Sequence, residues 1–250
     1  MKRDSLKQIV AIILPIILVI IVITLIKSRT LKENEDIADE DLVSEETNDI
    51  QTPIDKGVTV VVDPGHGGRD PGKVAVNGAL EKDINLSISI KLKKYLEDNG
   101  YNVIMIREDD IGLYNDTDRN KKNADLRNRV DIINNSNAEL AISIHQNSYG
   151  QESVRGAQVF YHGNSMDGEI LANIIQEQIK MHLQPDNKRL AKAEASYYML
   201  KNTNCPTIIV ECGFLSNNEE ANLLIDEDYQ ERMAEAIYLG LDTYMKTKDF

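Results

Sequence analysis

Hydrophobic and polar positions divide this chain into three stretches. Residues 9–26 (IVAIILPIILVIIVITLI) are an unbroken apolar run of 18 residues. As a helix it would be about 27 Å long, close to the hydrocarbon core of a bilayer. Pro15 is no obstacle, because helix interiors in lipid tolerate proline. A cleaved signal peptide is the alternative, but the run exceeds the usual apolar region and no small-x-small cleavage site follows, so an uncleaved anchor is expected. Lys2, Arg3 and Lys7 before the run are matched by Lys27, Arg29 and Lys32 after it, so flanking charge leaves the orientation open. Residues 33–55 then lack periodic apolar positions and read as a disordered tether.

From residue 58 onward the pattern alternates. VTVVV (58–62) is a short β-branched run that opens into the glycine-rich turn Asp63-Pro64-Gly65-His66-Gly67-Gly68. From Glu81, apolar Ile84, Ile88, Leu92 and Leu96 recur at fours and Asn99-Gly100 stops the helix. Residues 102–106 read as a strand, 125–134 as a helix, and 140–144 (LAISI) and 157–161 as strands. A helix over 168–182 carries Ile170, Ile174, Ile175 and Ile179, and 207–210 (TIIV) is a further buried strand. A long helix over 228–245 presents Met233, Ile237, Leu241 and Tyr244. This alternation predicts an α/β fold: a mostly parallel twisted sheet with helices on both faces, preceded by a single transmembrane helix. The expected layout is an anchor or uncleaved signal (1–27), an acidic linker (28–56) and one globular domain (57–248).

Charge sharpens this picture. The 250 residues carry 28 Lys plus Arg against 41 Asp plus Glu, a formal charge of -13. Residues 33–55 supply ten of the acids and no Lys or Arg, so the rest is nearly balanced. From Lys56 there are 22 basic and 30 acidic residues, the wrong balance for binding nucleic-acid phosphates. The acidic tract lacks the loop spacing of a calcium-binding EF-hand. Two cysteines cannot staple the fold: Cys205 and Cys212, seven residues apart in an extended segment, would stand about 23 Å from one another.

In open α/β sheets ligands gather beyond the carboxyl ends of the strands, and His66, His145 and Glu211 lie at three such ends. Two imidazoles and a carboxylate are a recurrent catalytic zinc set that leaves one position for water. A carboxylate directly after TIIV falls where burial is costly without a partner or a task, which singles out Glu211. By spacing alone Glu81, heading a helix, reads as a carboxylate that offsets the helix dipole. His162 and His182 read as bystanders.

VVVDPGHGGRDPG, EKDINLSISIKL, the arginine opening RVDIIN, SIHQNS, GAQVFYH and VECGFLSNNEE, in this order, resemble the zinc-dependent N-acetylmuramoyl-L-alanine amidases of bacterial cell walls, those with an α/β catalytic domain. The likeness runs over about residues 58–244 and is strongest toward the compact germination-specific branch of spore formers. It implies a sheet of about six strands, zinc (Zn2+) held by His66, Glu81 and His145, and Glu211 as the catalytic residue, which overrides the dipole reading of Glu81. It further implies cleavage of the amide between N-acetylmuramic acid and L-alanine in peptidoglycan, in cortex maturation through muramic lactam.

The substrate would be peptidoglycan, recognised through stem peptide and muramic acid, and the domain would lie on the outer side of the cytoplasmic membrane. Where larger relatives insert an inhibitory helix after the SIHxN strand, this chain runs directly into Gly156-Ala157-Gln158. No wall-binding repeat is visible after the catalytic pattern, so the anchor is expected to hold the enzyme near its substrate. Control would then fall to expression, location or a regulatory protein partner. Asn147 stands open between a stem-peptide contact and a role in its own loop. Tyr149, Tyr197 and Tyr198 are the aromatics available for sugar stacking. A zinc peptidase or polysaccharide deacetylase would use similar ligands on another bond, and a wall-binding module would keep the fold without turnover. Four intact site residues argue against the last.

Overall fold

The computed structural model describes residues 54–248. The expected anchor and nearly all of the acidic linker lie outside the described residues. Among those described, no helix is long and apolar enough to cross a membrane.

The chain folds as β1 (Thr59–Pro64), α1 (Glu81–Asp98), β2 (Asn102–Met105), α2 (Lys121–Asn135), β3 (Leu140–Asn147), β4 (Gln158–Tyr161), α3 (Met166–His182), β5 (Lys192–Ala193), α4 (Tyr198–Asn202), β6 (Thr207–Phe214), α5 (Asn218–Leu223) and α6 (Glu227–Lys248). These make one six-stranded sheet in the order β2-β1-β3-β6-β4-β5. All neighbouring strands are parallel except β4 against β6. That reversal was not legible in the pattern, since a four-residue buried run carries no direction.

Strand alternation distributes the core over both faces. Val60 and Val62 of β1 pack with Ile88 and Leu92 of α1, Ile175 of α3 and Met233 of α6 on one side. Val61 joins Val130 and Ile133 of α2 and Met199 of α4 on the other. The helices therefore cover both faces, as the near-continuous apolar strands require.

The topology fixes where a site can form. The chain leaves β1 for β2 on one side and returns to β3 on the other, so the carboxyl ends of β1 and β3 flank a crevice at this switch. The register brings Glu211 of β6 directly beside His145 of β3, and an irregularity between His145 and Asn147 bends the strand at that point.

Close packing sets a limit elsewhere. A methyl on Gly240 of α6 would stand 2.5 Å from Ile175 Cγ1 and 2.8 Å from its Cα. Alanine would gain about 1 kcal/mol of helix propensity, but forcing the helices apart costs about 1–3 kcal/mol. Because backbone is among the atoms met, Gly240→Ala should lower the thermal midpoint by a few degrees. Calorimetry of the two proteins checks this.

Candidate metal and catalytic site

The first strand ends in a turn whose backbone is exceptional. His66 has φ 62, a left-handed conformation uncommon for a residue with a side chain. Two buried arginines hold the turn in place. Arg129, buried in α2, donates from Nη2 to the His66 carbonyl (2.6 Å) and from Nη1 to the Pro64 carbonyl (2.9 Å) and Asp63 (2.5 Å). Arg107, just after β2 and equally buried, donates to the carbonyls of Pro64 (3.0 Å), Gly65 (3.0 Å) and Lys82 (2.8 Å). Gly65 must be glycine, because a Cβ there would fall 2.3 Å from the His145 ring.

Three side chains converge beyond this turn. Glu81 Oε1 lies 3.2 Å from His66 Nε2 and 3.0 Å from His145 Nδ1. One ligand atom from each residue falls within 4.8 Å of the others. Ligand atoms at about 2.0–2.1 Å from a tetrahedral zinc stand about 3.3 Å apart, so the set matches the size of that ion. The orientation of each group is also fixed. Asp70 Oδ2 lies 2.9 Å from His66 Nδ1, so a proton on Nδ1 leaves the Nε2 lone pair directed inward. Glu81 accepts the Lys73 amide on Oε2 (2.8 Å) and the Gln146 amide on Oε1 (3.1 Å). Gly72, at φ +68, allows this close approach: a Cβ there would meet Glu81 Oε2 at 2.5 Å and His66 Cδ2 at 2.8 Å. Glu81 thus faces the two histidines, and not merely its own helix terminus.

The two glutamates have opposite electrostatics. Burial raises the pKa of Glu81, but hydrogen bonds from His145 and His66 outweigh it and hold the carboxyl far below the usual range. Burial likewise opposes charge on His66, and Glu81 and then Asp70 raise its pKa above the ordinary value. Glu211 is 8% exposed, and its Oε2 is buried with no hydrogen-bond partner among the described residues. Burial pushes its pKa up to about 7. An orphaned carboxylate oxygen in a site with two imidazoles fits a group that exchanges a proton with a ligand.

These residues line a cavity of about 610 Å³ together with Lys73, Lys122, Asn147, Tyr197 and Tyr198. Asn147 also accepts the Ser148 amide (2.8 Å), so it does support its own loop while facing the cavity. Tyr197 is braced on Phe160 at 5.6 Å, whereas Tyr149 is not among the lining residues. His162 and His182 lie away from this cavity. Asp70, Lys122 and Arg107 were not singled out from the sequence. Asp70 had a signal, four residues after His66 in the same glycine-rich turn. Arg107 had none, because its partners are backbone carbonyls distant in sequence.

The family model for N-acetylmuramoyl-L-alanine amidase matches residues 60–243. The germination-specific N-acetylmuramoyl-L-alanine amidase of Bacillus subtilis is 40% identical over 196 residues, covering 77% of this chain and 81% of that protein. Among solved structures, the CwlD amidase of Clostridioides difficile in complex with the GerS lipoprotein superposes with a TM-score of 0.74 at 44% identity, over 76% of this chain and 99% of that one. The amidase AmiC2 of Nostoc punctiforme gives a TM-score of 0.68 at 31% identity, over 77% and 99%.

Two outcomes follow from the site's geometry and charge. Gly72→Ala should displace Glu81 and weaken metal binding by about 10- to 100-fold, the usual effect of disturbing a ligand's support, as read by chelator competition. In metal-stripped protein Glu211 binds its proton more tightly folded than unfolded. Its raised pKa therefore costs stability progressively as pH rises from 4.5 to about 7, reaching about 3 kcal/mol above that window. Glutamine cannot ionise, so stripped Glu211→Gln should melt higher than the parent at pH 8 and equally at pH 4.

Proposed function

The chain belongs to the N-acetylmuramoyl-L-alanine amidase family and cleaves the amide between N-acetylmuramic acid and L-alanine in peptidoglycan; on that premise we propose a zinc-dependent mechanism centred on His66, Glu81, His145 and Glu211. The observation that carries the proposal is the unpartnered Glu211 oxygen beside a His–Glu–His cluster of zinc-like dimensions.

His66 would bind through Nε2 and His145 through Nδ1, with one oxygen of Glu81 completing the protein ligands. Zinc at that position supplies Lewis acidity for a carbonyl and makes water easier to deprotonate near neutral pH. The protein's own groups do the rest. Glu211 takes one proton from the attacking water as its oxygen bonds to the lactyl carbonyl carbon. When the C–N bond breaks, Glu211 returns that proton to the departing L-alanine nitrogen, leaving a lactyl carboxylate and a free amine. No covalent bond to the chain is needed. Asp70 keeps His66 in the required tautomer. A deprotonated Glu211 is required, so activity should rise with pH on the acid side, and a bound cation would move that rise below 7.

The biological setting we propose is spore cortex maturation, in keeping with the germination-specific relative. Residues 9–26 would anchor the chain and residues 28–56 would tether a catalytic domain of 57–248 on the outer side of the membrane, where peptidoglycan lies. The Clostridioides difficile relative is found with a lipoprotein, which supports a protein partner as one route of control here.

Mass analysis of digested muropeptides tests the reaction: new amino termini should be L-alanine, and free glucosamine would indicate a deacetylase instead. Glu211→Gln should lose about 10² to 10⁴ in rate while keeping its zinc. Glu81→Gln should lose zinc, and excess metal should restore part of its activity. Zinc stoichiometry measured beside turnover separates the two roles; an empty Glu211→Gln with a full but inactive Glu81→Gln would reverse them.

A further inference from the structure

A second cavity, of about 590 Å³, includes Arg155, Lys188 and Arg189 in its lining. It is separate from the first, but the sheet register places it next door. On β4, Gln158 stands opposite Glu211 and Phe160 opposite Ile209. Phe160 and Ile209 pack together on one face, so by alternation Gln158 and Glu211 share that face as cross-strand neighbours. Gln158 Oε1 in turn accepts from Arg189 Nη1 at 3.1 Å. His145, Glu211, Gln158 and Arg189 therefore form a row running outward across the sheet from the metal site.

Arg189 is prepared for an anion. Its Nε donates to the Arg155 carbonyl at 2.8 Å, and its guanidinium lies 4.6 Å from the centre of the Phe214 ring. The plane is thus fixed while part of the donor fork still faces the cavity, the arrangement that favours two-point recognition of a carboxylate. Of the three acids that line this cavity, Asp186, Glu219 and Glu220, the two glutamates are otherwise engaged. Glu219 pairs with Arg155 at 2.9 Å, and buried Glu220 accepts the amides of Gly156 and Phe214. No carboxylate among the described residues forms an ion pair with Arg189.

We infer that Arg189 anchors a carboxylate of the acidic stem peptide, on the leaving-group side of the severed amide. This rests on the amidase reading. In an extended peptide each residue advances about 3.3 Å, so the second residue's carboxylate lies about 7 Å beyond the scissile nitrogen. Gln158 is one cross-strand neighbour past Glu211, and the Arg189 guanidinium, one hydrogen bond beyond Gln158, lies on the side where that group would fall.

The test uses full-length, zinc-loaded protein and two muramyl tetrapeptides, one with a free α-carboxylate on the second residue and one with a carboxamide there. The wild type should bind and cleave the acid with a KM about 10- to 100-fold lower than that of the amide. Arg189→Met should raise KM for the acid to the amide's level, leaving kcat, zinc content and the amide's KM unchanged, and Arg189→Lys should recover part of the preference. Equal losses on both peptides would make Arg189 a counter-charge for Glu220 and overturn the inference, as would a wild type indifferent to the carboxylate. Calorimetric binding separates this from the reaction assignment. An Arg189-dependent preference without release of an L-alanine amine would refute the amidase mechanism and leave the subsite standing; amine release without the preference would do the reverse.

Discussion

The site depends on holding one histidine in a backbone conformation that its side chain disfavours. His66 stays left-handed because the carbonyls of Pro64, Gly65 and His66 are all bound by two buried guanidiniums, Arg129 from one side and Arg107 from the other. Burying two cations is expensive, and the structure compensates them differently. Arg129 has Asp63 and Asp125 as ion-pair partners, and Ser143 steadies Asp63 from β3. Arg107 is bonded to carbonyl oxygens, including that of Lys82 immediately after Glu81. It therefore ties the turn that carries one candidate ligand to the helix that carries another.

From that frame the two glutamates acquire opposite characters. Glu81 is met by two imidazoles and two amides, so its charge is stabilised and its position is fixed. Glu211 leaves β6 into a buried space where one oxygen has no donor, so its charge is disfavoured. A ligand needs the first environment and a proton carrier the second. The same residue type thus occupies two opposed environments, set by surroundings alone, without any difference in covalent chemistry.

Much of this was legible in the sequence because it rests on local pattern. Ile84, Ile88, Leu92 and Leu96 are buried along α1 as their spacing requires, and VTVVV and TIIV are central strands. His66, His145 and Glu211 could be found because strand ends are where such sheets bind ligands. Other features depend on pairing between distant segments. β6 extends to Phe214, beyond the apolar TIIV, because the ladder continues through Glu211 and, after the register shift, pairs Phe214 with Asn147. The two-residue β5 and the short α4 have too few positions to show a period. Helix α2 begins at Lys121, before its apolar face does, because Asn120 caps it through its side chain. Arg107 contacts backbone atoms contributed by three segments, and no one-dimensional pattern encodes that.

The site's four principal residues come from the turn after β1, the start of α1, the end of β3 and the middle of β6. His66 and Glu81 lie in consecutive elements, but His145 and Glu211 reach them only through the connections that bring β3 and β6 into the sheet, and such non-local pairings are slow to form. A metal ion held by these residues would therefore meet a site shaped by the sheet, unlike small domains that condense around an ion. The geometry of all four side chains depends on the apolar sheet and its helices being in place.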